Sequence, residues 1–161
     1  MNTKDKGGFA MDRFFRGMTA GIIAAVPMNL WSFLSFHYLD WSERRFADWG
    51  TILLLGSPPN NALELMLGLF LQLVWAGFLG IVYAYLIKNF TSQGYLIKGA
   101  YFGILSGFFT YSAPVLLGSS YLEQTSAATA ASQIVGGLVW GITAAVSLRI
   151  LGLYLRTSVT F

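Results

Sequence analysis

The sequence predicts an all-α fold, a four-helix transmembrane bundle with a short interfacial helix between the first and second spans. Three observations carry that expectation. Of the 161 residues, 55% are hydrophobic and only 11% charged, where a soluble domain carries roughly 25%. Four stretches of spanning length contain no formal charge, and about 20 apolar residues are what crosses a bilayer. The basic residues, finally, gather at one end of those stretches, as orientation in a membrane requires.

The elements follow in order. Lys4, Lys6, Arg13 and Arg16 precede the first run, residues 17–39. A secretory signal has a short apolar core, a small-residue cleavage site and then polar sequence. This run is long enough to span and further apolar runs follow it, so it is expected to remain as an anchor. Residues 40–61 make the one sizeable segment between spans. Asp40 and Glu43 have the spacing of a capping box, Trp41, Phe46 and Trp49 lie among charges, and Ile52-Leu53-Leu54-Leu55 follows. Such a segment suits a short amphipathic helix lying in the outer interface, ended by Pro58-Pro59. Asn61 and Glu64 repeat the capping spacing and start the second span, residues 65–87. The third span covers 99–118, with Pro114 expected to kink or end it, and the fourth covers 126–148. An Asp, Lys or Arg at a helix centre costs about 2.5–3.5 kcal/mol, so their absence from all four runs is not chance. Because the runs are continuous rather than alternating, a β-barrel is excluded.

Charge sets the orientation. Lys4, Lys6, Arg13, Arg16, Lys88, Lys98, Arg149 and Arg156 fall on one side of the four spans, and only Arg44 and Arg45 on the other. The positive-inside rule then makes both termini cytoplasmic in a multi-pass cell-membrane protein. Basic residues flanking spans singly or in pairs form no stripe for a phosphate backbone, so no nucleic acid is expected. Arg44 and Arg45 are read as solvated, or as contacts for lipid headgroups or a partner protein.

An internal repeat is expected as well. Arg16-Gly17-x3-Gly21-Ile22 matches Lys98-Gly99-x3-Gly103-Ile104 at an offset of 82 residues. Residues 72–88 match 133–149 at an offset of 61, with five identities that include Gln72/Gln133, Gly80/Gly141 and Ala84/Ala145. Both hairpins begin on the same side, which makes the repeat parallel, its pseudo-twofold axis along the membrane normal. Small residues four apart (Gly17/Gly21, Gly99/Gly103/Gly107, Gly137/Gly141/Ala145) let backbones approach closely, within the chain or between copies.

Polar side chains inside the runs are the candidates for chemistry. Asn29 lies near the middle of the first span, two residues after Pro27, which frees the Ile23 carbonyl. Gln72 and Gln133 occupy equivalent repeat positions and would lie at one depth. Asn29, Gln72 and Gln133 either hydrogen-bond between helices, worth about 0.6–2 kcal/mol, or line a path for a small solute. His37, the single histidine, is read as an interfacial residue, with a pH-sensing or pigment- or haem-ligating role as the rival. Glu64 suits the positive end of a helix, with a proton or cation site as its rival. There is no cysteine, hence no disulfide or thiolate metal site. The chain contains no HExxH, GxSxG or phosphate-binding glycine loop, so neither an enzyme nor a metal or other cofactor is expected.

The motifs Gly17-x3-Gly21, Gly56-Ser57-Pro58-Pro59 and Gly136-Gly137-x3-Gly141, in a chain of this size and span count, resemble small bacterial inner-membrane proteins of the YqhR/YagU sort. That resemblance implies a bacterial cytoplasmic membrane and transfers no residue role. The leading functional expectation is a non-enzymatic accessory subunit that associates with itself or with a larger membrane complex. Its rival is a small homo-oligomeric channel or carrier for a small solute.

Overall fold

The computed structural model describes residues 12–87, 93–116 and 126–157. Over these residues the chain is all helical: α1 Arg13–His37, α2 Phe46–Leu55, α3 Ala62–Leu86, α4 Tyr95–Leu116 and α5 Ala127–Thr157. Three helical stretches (α1, α3 and Ala127–Gly152 of α5) are long and apolar enough to cross a membrane. The expected third span coincides with α4 up to Leu116 and runs through Pro114 without a break; residues 117 and 118 lie outside the described residues.

The helices extend beyond the uncharged runs, because flanking charges find partners at neighbouring helix ends. Asp12 accepts from Arg13 N at 2.6 Å to start α1. The Arg13 guanidinium donates to Ala84 O (2.7 Å) and Ile87 O (2.6 Å), carbonyls at the end of α3 that have no helical donor. At the other end, Asn61 Oδ1 accepts from Glu64 N (2.9 Å) while Glu64 Oε2 accepts from Asn60 N (2.7 Å).

The start and end of α2 differ from expectation. Asp40 adopts a left-handed conformation, φ 48°, and the chain folds back there, so that Trp41 N and Ser42 N both donate to Ser35 O. Asp40 and Glu43 therefore cap nothing. The helix begins at Phe46 instead, with Asp48 Oδ2 accepting from Arg45 N (2.8 Å) and the Arg45–Asp48 ion pair at 3.0 Å. Its end comes at Gly56, whose φ of 75° lets its N–H reach Ile52 O. The prolines follow an already terminated helix.

Two helix pairs pack backbone to backbone. Between α1 and α3, a methyl at Gly17 would stand 2.8 Å from Gly80 O and 2.9 Å from Ala84 Cβ, and one at Gly21 would strike Ala76 O. Between α4 and α5, a methyl at Gly99 would stand 2.5 Å from Gly141 O and 2.6 Å from Ala145 Cβ, and one at Gly103 would strike Gly137 O. These four contacts of the first crossing, with Gly80 O, Ala84 Cβ, Ala76 O and Gly80 Cα, have matches in the second at offsets of 82 and 61 residues. The small-residue stripes are thus used inside the chain.

The pairs join through α1 and α5. Buried Trp140 donates from Nε1 to Gly21 O (3.0 Å), Trp31 Nε1 donates to Ser132 O (3.0 Å), and the Ser35 and Ser132 hydroxyls bond at 2.7 Å. Ala20, Ala24, Met28, Ala144 and Leu148 fill the space between. The short helix α2 lies across α3 at Gly50 and Gly68 and places its Phe46 ring against Gly136. Outward faces are apolar on every long helix, with Leu30 66% and Ile97 75% exposed. A surface of that kind needs hydrocarbon rather than water around it.

Candidate functional site

The helices α3 and α4 do not form a packed pair. They meet where the Tyr83 and Phe102 rings approach to 5.0 Å, and again where Trp75 Nε1 donates to Thr110 Oγ1 at 3.2 Å. Elsewhere their facing surfaces bound a cleft of about 1010 Å³. Its walls are Leu79 and Val82 of α3 and Leu105, Ser106 and Phe109 of α4; Met28, Gly137 and Trp140 stand behind, and Trp49, Leu53 and Leu54 of α2 cover one end. Nearly all of this lining is apolar, the usual composition of a pocket for a small organic molecule.

Residues reach the cleft by helical spacing. Gln72, Trp75, Ala76 and Leu79 share one face of α3; Phe102, Leu105, Ser106, Phe109 and Thr110 share one face of α4; Gln133, Gly137 and Trp140 share one face of α5. Gly137 allows the approach of α4 behind this wall, since any side chain there would meet Gly103 O.

The three candidate polar residues of the spans are divided by the fold. Asn29 Nδ2 donates to Ala25 O (2.9 Å) and to Gln72 Oε1 (2.8 Å), joining α1 to α3. Asn29 Oδ1 is buried without a hydrogen bond. Gln72 and Gln133 both line the cleft, 8% and 5% exposed. Gln133 lines the cleft with no hydrogen-bond partner among the described residues.

The remaining candidates lie elsewhere. His37 is exposed at the end of α1, stacked on Phe33 and edge-on to Phe36. Glu64 is occupied as the cap of α3. Neither touches the cleft, and among the described residues no group of His, Asp and Glu could hold a metal ion. Sequence alone does not single out Ser106, Thr110, Trp75 or Trp140. Ser106 and Thr110, one turn apart in an apolar run, were the available signal.

Comparison with protein-family models, with curated proteins and with solved structures finds no match for this chain.

Proposed function

We propose that the chain is a non-enzymatic, four-span protein of a bacterial cytoplasmic membrane that takes a small lipid-soluble molecule into the cleft between α3 and α4. The observation that carries this reading is the cleft itself, an apolar space in which two buried carboxamides remain incompletely paired. Its functional groups are amides, hydroxyls and indoles, none of which is a general base near neutral pH, and this supports binding rather than catalysis. Four spans and two parallel hairpins are supported by the matching Gly crossings of α1/α3 and α4/α5. Cytoplasmic termini are supported by the basic residues beside the ends of α1, α3 and α5.

An accessory subunit that associates with itself drew its motive from the small-residue stripes. Those stripes pack within one chain, which leaves the cleft as the better guide. A channel for ions or polar solutes would need a wetter lining.

Ser106→Phe tests the proposal by filling the cleft from α4. Energy transfer from tryptophan to pyrene, which has no hydrogen-bonding group, reports occupancy beside Trp49, Trp75 and Trp140 in detergent micelles. The native protein is expected to show saturable transfer, and Ser106→Phe to show only the background of pyrene dissolved in the micelle. Equal transfer in both proteins would refute the reading.

A further inference from the structure

Hydrogen bonds fix which way the Gln72 amide points. Ala25 O lies 2.9 Å from the Asn29 amide, and only the NH2 of that amide can donate to a carbonyl. The same nitrogen lies 2.8 Å from Gln72, so the Gln72 atom facing it is the oxygen. Gln72 is thereby left with its NH2 toward the cleft. Gln133 adds a second carboxamide with no partner among the described residues.

Four other donors around the cleft are already committed. Ser106 Oγ donates to Gly103 O, Thr110 Oγ1 to Ser106 O, Trp75 Nε1 to Thr110 Oγ1 and Trp140 Nε1 to Gly21 O. Gln72 Nε2 and the carboxamide of Gln133, whose Nε2 can donate as well, remain unfilled in apolar walls. No Lys, Arg, Asp or Glu lines the space. A buried anionic head would find no cation there to offset its desolvation.

We infer that the cleft binds an uncharged amphiphile through a carbonyl oxygen, of quinone or ester type, which accepts from Gln72 and Gln133. The apolar remainder of the molecule lies against Leu79, Phe102, Leu105 and Phe109. This rests on the proposed function, since it names the head group of the molecule that the cleft takes up. The carboxamides act as a reader of the head, and the walls supply most of the affinity.

Calorimetric titration of the purified protein in detergent micelles, corrected for empty micelles, tests it with four probes: decyl-benzoquinone, methyl decanoate, decanoate ion and decylbenzene. One of the two neutral carbonyl compounds is expected to bind about tenfold more tightly than decylbenzene, as a neutral hydrogen bond in an apolar site provides. Whichever binds better identifies the source of the carbonyl. Gln72→Leu and Gln133→Leu are each expected to weaken that probe about five- to tenfold and to leave decylbenzene unchanged. The comparison of probes on the native protein stands even if a variant fails to fold. Equal binding of decylbenzene and the carbonyl probes, or tighter binding of decanoate ion than of its methyl ester, would overturn the head-group assignment and leave the proposed function standing. If none of the four binds, both fall.

Discussion

Gly21→Ala and Gly103→Ala are the perturbations that probe the two helix crossings most directly. At Gly103 the added carbon would strike Gly137 O and stand 2.8 Å from Gly141 Cα and 2.9 Å from Gly141 N. At Gly21 it would strike Ala76 O and stand 3.0 Å from Gly80 Cα. All of these neighbours are backbone, so no side chain can rotate away. Carbon contacts settle near 3.5–4.0 Å, which means each pair must part by about 1 Å, and a gap of that size forfeits a quarter to a half of each contact's attraction. Overpacking of this kind costs about 1–3 kcal/mol per site, of which up to about 1 kcal/mol is returned by the better helix propensity of alanine. A net loss of about 1–2 kcal/mol is expected for each variant.

Gly77→Ala is the internal control. Its added carbon would meet only the flexible side chains of Ile22 and Met18, both at 3.4 Å, so its cost is expected near zero. Reversible unfolding in mixed micelles at increasing mole fraction of denaturing detergent, followed by circular dichroism, ranks the three. Should Gly21→Ala or Gly103→Ala unfold no sooner than Gly77→Ala, the close crossings are not what holds the pairs together.

Four more expectations can be checked. Asn29→Leu removes the donor to Gln72 and is expected to lose about 0.6–2 kcal/mol in that titration. Gln133→Leu, which removes an amide without a partner, is expected to leave stability unchanged or raised; a loss matching that of Asn29→Leu would mean Gln133 is paired after all. Asn61→Ala deletes the side-chain acceptor for Glu64 N and is expected to cost about 0.5–2 kcal/mol, seen as faster hydrogen exchange confined to the first turn of α3. Because the chain has no cysteine, Asn60→Cys and Gln93→Cys report topology cleanly: in intact cells an impermeant maleimide is expected to label the first and not the second. Labelling of both without permeabilisation would refute cytoplasmic termini.

Much of the architecture is legible from local features, because helix length, charge placement and capping are decided within a few residues. Asn61 and Glu64 cap α3 as their spacing suggests, and the glycines four apart do lie at backbone crossings. What spacing does not encode is the identity of the facing surface. Gly17 and Gly21 could have met a second copy, yet they meet Gly80 and Ala76 of the same chain. Asp40 and Glu43 have as good a capping pattern as Arg45 and Asp48, and the choice between them turns on a fold-back held by Ser35 O, from a different helix. For the site, three polar residues stand out in apolar runs, but only the rotation of α1 about its axis brings Asn29 to Gln72 and leaves Gln133 alone. His37 stands out in sequence for its chemistry, and the fold places it among two phenylalanine rings at the surface, away from the cleft.

The cleft itself has an origin in the two hairpins. Under the proposed repeat, α1 corresponds to α4 and α3 to α5, so the interface of α1 with α5 has as its counterpart that of α4 with α3. The first is closed by hydrogen bonds from Trp31, Ser35, Ser132 and Trp140. At offsets of 82 and 61 residues, the matching positions are Ala113, Leu117, Leu71 and Leu79. The register of Asn29 likewise holds Tyr111 rather than an amide. A duplicated hairpin would by symmetry make both interfaces alike; here the small residues within each pair are kept, the α1–α5 hydrogen-bonding residues are not repeated in sequence at the matching positions, and α3 and α4 share the Trp75–Thr110 hydrogen bond instead. Close crossings bring the helices of each hairpin together, the α1–α5 seam is closed by its hydrogen bonds, and the α3–α4 seam, crossed by the Trp75–Thr110 bond, stands open beside Gln72 and Gln133. Under the proposed repeat, it is this departure from symmetry that opens the cleft.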